Sequence, residues 1–147
     1  MKRDGRLLGL DLGTRRIGVA VSDSGRTVAT GVTAIERTGD RTRDHAAVAA
    51  LVDEYEAVGV VVGMPYSLSG AAGPAAAAAM EEVEQLRTAL DVEVDTVDER
   101  LTTVAAAGAL RASGRRGRSA RAVIDQTAAA VLLQSWLDRR SRQEAPR

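Results

Sequence analysis

The sequence predicts an α/β fold: a five-stranded mixed sheet in the spatial order 3-2-1-4-5, flanked by about four helices. Three observations lead there. The first 35 residues hold three apolar segments separated only by turns, and connections that brief permit only antiparallel neighbours. Two helix-then-strand units follow, and right-handed crossovers place their strands on the far side of the first strand. At 147 residues the chain fits one domain, large enough to bury roughly 68 to 70% of its unfolded-chain surface.

Taken in order, strands are expected at residues 6–12, 16–22 and 27–35, joined by the turns Gly13-Thr14-Arg15 and Asp23-Ser24-Gly25-Arg26. Residues 36–42 are polar and form a loop. Val48, Leu51, Val52 and Tyr55 recur at i, i+3, i+4 and i+7, the spacing of one helix face, and predict a helix over 43–56. The unbroken apolar run at 58–62 is a strand covered on both faces. Residues 63–74 are rich in turn formers, and Pro74 suits the first position of a second helix, which runs to about Leu90 on a stripe of Met80, Val83, Leu86 and Leu90. Residues 92–97 alternate as a half-exposed strand near an edge. A third helix over 101–112 stops at Gly114, and Ser119 caps a last helix that reaches about Arg140. The domain is expected to occupy residues 1–140, with 141–147 a frayed tail.

Twenty basic and twenty acidic side chains cancel, so net charge selects no partner. Their distribution does more. Residues 1–99 hold ten Lys or Arg and seventeen acids, whereas 100–147 hold ten Arg and three acids. A basic end that can meet a polyanion thus lies beside an acidic remainder that can hold cations. Without cysteine there is no disulfide and no thiolate zinc site, as suits a reducing compartment. His45 alone offers imidazole, which nearly excludes histidine-based catalysis; it falls in a polar helix start and reads as a surface residue. The charged start lacks a signal-peptide core, and no apolar run approaches the roughly 20 residues of a membrane span. The protein is expected to be cytoplasmic.

Asp11 interrupts what otherwise reads as a buried strand. Alternation sets Leu8, Leu10 and Leu12 on one face and Leu7, Gly9, Asp11 and Gly13 on the other. An ionised carboxylate there costs several kcal/mol unless compensated. The flanking glycines leave room for a metal, a phosphate or a close backbone approach; alternatively, Asp11 simply caps the turn at Gly13-Thr14. Glu99 follows the fifth strand at the same sheet edge, where ligands of such sheets bind, or else serves the N-terminus of the next helix. Asp125 lies too deep in the last helix for capping. It shares a core-facing stripe with Ala128, Ala129, Leu132 and Trp136, and its plain alternative is a pair with Arg121. Three acids converging on one edge are explained jointly by a hard divalent ion, Mg²⁺ or Mn²⁺. Two such ions would clamp the attacking and leaving oxygens of a phosphodiester without a histidine base.

Arg111, Arg115, Arg116, Arg118 and Arg121 precede or open the helix bearing Asp125. Cations there oppose the helix dipole, which suggests a role toward phosphates, the alternative being a solvated loop. With two Tyr, one Trp and no Phe, stacking on splayed bases is poorly supplied, so backbone and shape readout is expected. Trp136 reads as packing; Tyr66, in the loop, either packs or touches ligand.

Gly9-Leu10-Asp11-Leu12-Gly13-Thr14-Arg15-Arg16-Ile17-Gly18-Val19-Ala20-Val21-Ser22-Asp23 resembles the opening motif of the YqgF family, Holliday-junction-resolvase-like nucleases with an RNase H-like fold. Val62-Gly63-Met64-Pro65 with Gly70 and Gly73, Asp98-Glu99-Arg100-Leu101-Thr102-Thr103, and Ile124-Asp125-Gln126-Thr127-Ala128-Ala129 resemble its remaining motifs in the same order, over about residues 6–137. The resemblance implies a nuclease dependent on one or two Mg²⁺ or Mn²⁺ ions, maturing the precursor of small-subunit (16S) rRNA or resolving four-way DNA junctions. It matches Asp11, Glu99 and Asp125 to the family's catalytic acids and metal ligands, and its substrate, structured RNA or branched DNA, would meet Arg15, Arg16, Arg100, Arg115, Arg116, Arg118 and Arg121. A monomer and a homodimer are both compatible with it. Ser67 and Ser69 depart from the family pattern, and Ala128 stands where many two-metal RNase H-like nucleases carry a further acid. Asp11-Leu12-Gly13-Thr14 also resembles the first phosphate loop of actin-like ATPases, although no second phosphate loop follows. A non-catalytic, ribosome-associated adaptor is a third alternative.

Overall fold

The computed structural model describes residues 4–65, 73–98 and 118–144. Its strands are β1 (Leu7–Leu12), β2 (Arg16–Ser22), β3 (Ala29–Glu36), β4 (Gly59–Met64) and β5 (Glu93–Asp98); its helices are α1 (Arg41–Glu54), α2 (Pro74–Ala89) and α3 (Arg118–Glu144). The predicted helix over 101–112 and most of the loop after β4, Tyr66 included, fall outside the described residues.

The strands form one sheet in the order β3-β2-β1-β4-β5. β2 runs antiparallel to β1 and to β3, while β4 is parallel to β1 and β5 to β4. That is the expected arrangement, and it puts the carboxyl ends of β1, β4 and β5 on one edge. Asp40 starts α1: its side chain accepts the Thr42 amide at 3.0 Å, satisfying one of the orphan donors of the first turn. Pro74 opens α2 as expected, where its missing N–H costs nothing.

The alternation of β1 separates two cores. On one face Leu8 and Leu10 join Val60 and Val62 beneath α1 and α2, through Val48, Val52, Val83 and Leu86. On the other, Leu7, Val61 and Val97 meet Ala129, Leu132, Leu133, Trp136 and Leu137 of α3. Each fully buried leucine contributes about 1.5–3 kcal/mol, so β1, covered on both sides, anchors the whole layer structure.

Two expectations are corrected. Met80 is 37% exposed, because α2 is turned so that Ala76, Ala79, Val83 and Leu86 carry its contact with the sheet and Met80 lies at the border of that stripe. His45 is buried, not at the surface: its Nε2 lies 2.7 Å from Glu82 Oε2 on α2, and a buried polar ring is tolerated where it finds such a partner.

Candidate active site

Asp11 sits near the carboxyl end of β1, half-buried, on the face covered by α3. The small residues around it explain why a helix can come so close. A β-carbon on Gly9 would meet Leu133 Cβ at 2.7 Å, one on Gly31 the Gln126 carbonyl oxygen at 2.8 Å, and one on Gly18 the Asp125 carbonyl oxygen at 2.1 Å. Of the three possibilities left open at Gly9, the structure realises the close backbone approach: the space is taken by α3. Gly13 differs, since a β-carbon there would lie 2.6 Å from the Arg16 carbonyl within the turn itself.

Gly18 is the residue paired with Asp11 across β1 and β2, and Cα atoms so opposed lie about 4.5–5.5 Å apart. The Gly18 Cβ position would also lie 3.3 Å from Asp125 Cα. Two acids 114 positions apart in sequence are thereby neighbours across a single glycine. Asp125 keeps 28% of its side chain exposed, and its Oδ2 lies 3.8 Å from Nη1 of Arg16, which is largely covered and donates through Nε to Glu36 at 3.1 Å. The 3.8 Å separation exceeds hydrogen-bonding distance. Arg16 therefore moderates the negative charge at Asp125 without capping its oxygens.

Asp98 closes β5 opposite Met64 at the end of β4, on the edge that the end of β1 also reaches. Glu99, the next residue, lies outside the described residues, as do Arg100, Arg115 and Arg116; Arg118 and Arg121 fall at the start of α3. Arg15 is exposed on the turn after β1. Among the described residues no three His, Cys, Asp or Glu side chains cluster closely enough to hold a metal ion. Asp11 and Asp125 both carry carboxylates, the oxygen chemistry that would suit a hard divalent cation.

Sequence reasoning missed a second group of charges on the opposite side of the turn. Arg37, just past β3, grips Glu82 with both terminal nitrogens, Nη1 to Oε2 and Nη2 to Oε1, each at 2.9 Å, while Nε donates to the Gly13 carbonyl at 2.7 Å. Burial raises the Glu82 pKa, but hydrogen bonds from Arg37 and His45 and the charges of Arg37 and Arg41 outweigh it and hold the carboxyl below its ordinary value. A signal existed: Glu82 lies three residues after Ala79 and four before Leu86, on the buried face of α2. Leu12, Gly13, Arg15, Arg37, Ala79 and Glu82 border an open cleft of about 820 Å³ here.

Comparison with known proteins agrees with this architecture. The sequence model of the RuvX family, described as Holliday junction resolvase, matches residues 5–139. A protein of Nocardia farcinica is 51% identical over 143 residues, covering 93% of this chain and 79% of the relative. One of Rhodococcus opacus is 49% identical over 142 residues, covering 94% and 80%. Both carry the name "Putative pre-16S rRNA nuclease". The structure of Thermus thermophilus RuvC in complex with a Holliday junction substrate superposes with a TM-score of 0.56 at 15% identity, covering 92% of this chain and 95% of that one. The likeness establishes a RuvC-type, RNase H-like fold.

Proposed function

The chain belongs to the RuvX family of Holliday junction resolvases and is a nuclease, and from that premise we propose that it is a divalent-metal-dependent phosphodiester hydrolase acting on the precursor of small-subunit rRNA. The observation that carries this reading is the adjacency of Asp11 and Asp125 across Gly18. Two partly accessible carboxylates at the carboxyl-end edge of a sheet offer the all-oxygen chemistry that a hard divalent cation takes. Asp11, Asp125 and Glu99 are the groups that would hold Mg²⁺ or Mn²⁺, as one ion or two. Such an ion, when bound, polarises the scissile phosphate and readies water for attack. Arg15, exposed on the turn, and the arginines at 100, 115, 116, 118 and 121 would take the phosphates flanking the cut, while Arg16 would orient Asp125.

The rRNA substrate is favoured by the names of relatives at about half identity. Four-way DNA junctions are the second reading, favoured by the description of the family. A single assay tests both: Mn²⁺-dependent cleavage of a precursor-rRNA fragment and of a four-way junction by wild type and Asp11→Asn. Cleavage of the RNA by wild type alone is expected. Equal activity of the two proteins would overturn the mechanism, and preference for the junction would move the substrate to DNA. No helix among the described residues is long and apolar enough to cross a membrane, and we place the enzyme in the cytoplasm, where precursor rRNA is found.

A further inference from the structure

Arg37 touches the turn between β1 and β2 twice. Its backbone amide donates to the Arg15 carbonyl at 2.9 Å, and its Nε donates to the Gly13 carbonyl at 2.7 Å. The turn is tied on its inner side as well: the Gly13 amide donates to Arg16 O at 2.9 Å and approaches Asp11 O at 3.1 Å. The Gly13 residue is thus held by both of its polar groups. One of them leads to Asp11, and the other leads through Arg37 into the layer of α1 and α2.

A guanidinium with one free end would be a loose tether. Here both remaining nitrogens are fixed on Glu82, a carboxylate 3% exposed, and His45 of α1 holds the Oε2 oxygen of the same group at 2.7 Å. Since a carboxylate only accepts, His45 presents an N–H from Nε2. Three elements, α1, α2 and the segment after β3, meet at one side chain, and the planar fork of arginine transmits that rigidity to the turn. What the turn carries is the active site itself, with Asp11 just before it and Arg16 at its end.

We infer that Arg37, backed by Glu82 and His45, is a positioning residue that locks the turn 13–16 and so sets the spacing of Asp11, Arg16 and Asp125. The inference rests on the nuclease reading for its effect on turnover but not for its effect on the turn. The group acts through the backbone of Gly13.

Two variants test it. In Arg37→Met combined with Glu82→Gln, both charges go together, which spares the fold the uncompensated carboxylate a single change would leave, and the amide oxygen still accepts from His45, yet the Gly13 carbonyl is left without its donor. Arg37→Lys keeps the charge but has one nitrogen where three are used. Amide hydrogen exchange is read at Gly13 and, as reference, at Leu10 in the middle of β1, alongside kcat and KM for Mn²⁺-dependent cleavage. In both variants Gly13 is expected to exchange about tenfold faster or more with Leu10 unchanged, and kcat to fall between about tenfold and a hundredfold with little change in KM. Unchanged exchange at Gly13 overturns the proposal, as does unchanged kcat with a loosened turn. Equal acceleration at Gly13 and Leu10 means a general loss of stability, and overturns it too. If wild type does not cleave, the functional reading fails, and exchange at Gly13 alone decides whether Arg37 holds the turn.

Discussion

A side chain on Gly18 would begin 2.1 Å from the carbonyl oxygen of Asp125. That separation, well inside any van der Waals contact, shows that the bare backbone of β2 is the seat of α3 at the point where the helix presents its acid. The partner is backbone and cannot swing aside, so Gly18→Ala must lift the N-terminal half of the described helix. Overpacking of this kind costs about 1–3 kcal/mol. We expect a lower denaturation midpoint, followed by the fluorescence of Trp136, the single tryptophan, together with loss of cleavage in the protein that remains folded. A variant of wild-type stability and activity would show that the helix does not sit this close to the strand.

Asp23 offers a separate test, away from the site. Its carboxylate accepts the Thr27 hydroxyl at 2.6 Å, the Thr27 amide at 2.7 Å and the Val28 amide at 3.0 Å. The Thr27 hydroxyl first, then the two amides, hold its pKa at about 2 against an ordinary 3.8. A depressed carboxyl pKa stabilises the fold above the unfolded value and loses that contribution as pH falls toward the folded one. The difference in melting temperature between wild type and Asp23→Ala should therefore hold steady above about pH 5 and narrow as pH drops from 3.8 toward about 2. A difference that does not change with pH would mean that the turn is closed without the charge.

The sheet order was legible because it follows from connection lengths: the three-residue turn after β1 admits one geometry, and each helix-to-strand crossover admits one hand. Asp11 and Asp125 stood out for a similar reason, as charges on faces that periodicity marks as apolar. What periodicity cannot register is a charge whose partner is supplied by a distant element. His45 looked exposed because the residues that start its helix, Arg41 to Asp44, are polar, and only the fold brings Glu82 to it across 37 positions. Gly9 was ambiguous on similar grounds. A missing side chain signals that something approaches, and whether that is a ligand or another helix depends on what lies across the sheet.

The basic segment before and into α3 makes a prediction that concerns binding alone. If Arg115, Arg116 and Arg118 meet phosphates, changing all three to Ala should flatten the dependence of log affinity on log salt by roughly 0.7 to 0.9 for each phosphate that is no longer neutralised. The weakening should be similar on RNA of different sequences, since phosphates carry no base preference. An unchanged slope would make the segment a solvated loop and leave Arg15 as the phosphate-binding residue to pursue.

Asp125→Asn separates the roles of fold and chemistry most cleanly. The carboxylate is partly exposed and 3.8 Å from Arg16, so the ion pair contributes no more than about 1 kcal/mol, and the amide has nearly the same volume. The variant is expected to remain folded. Turnover should fall by more than the roughly 10- to 100-fold that follows loss of a partner outside the ligand shell, because one of the carboxylates proposed to hold the ion is gone. Mn²⁺ titration followed by Trp136 emission gives a readout independent of catalysis: the variant should need a higher ion concentration for the same change. Full turnover in Asp125→Asn would remove α3 from the chemistry and leave its close seat on Gly18 as a matter of packing alone.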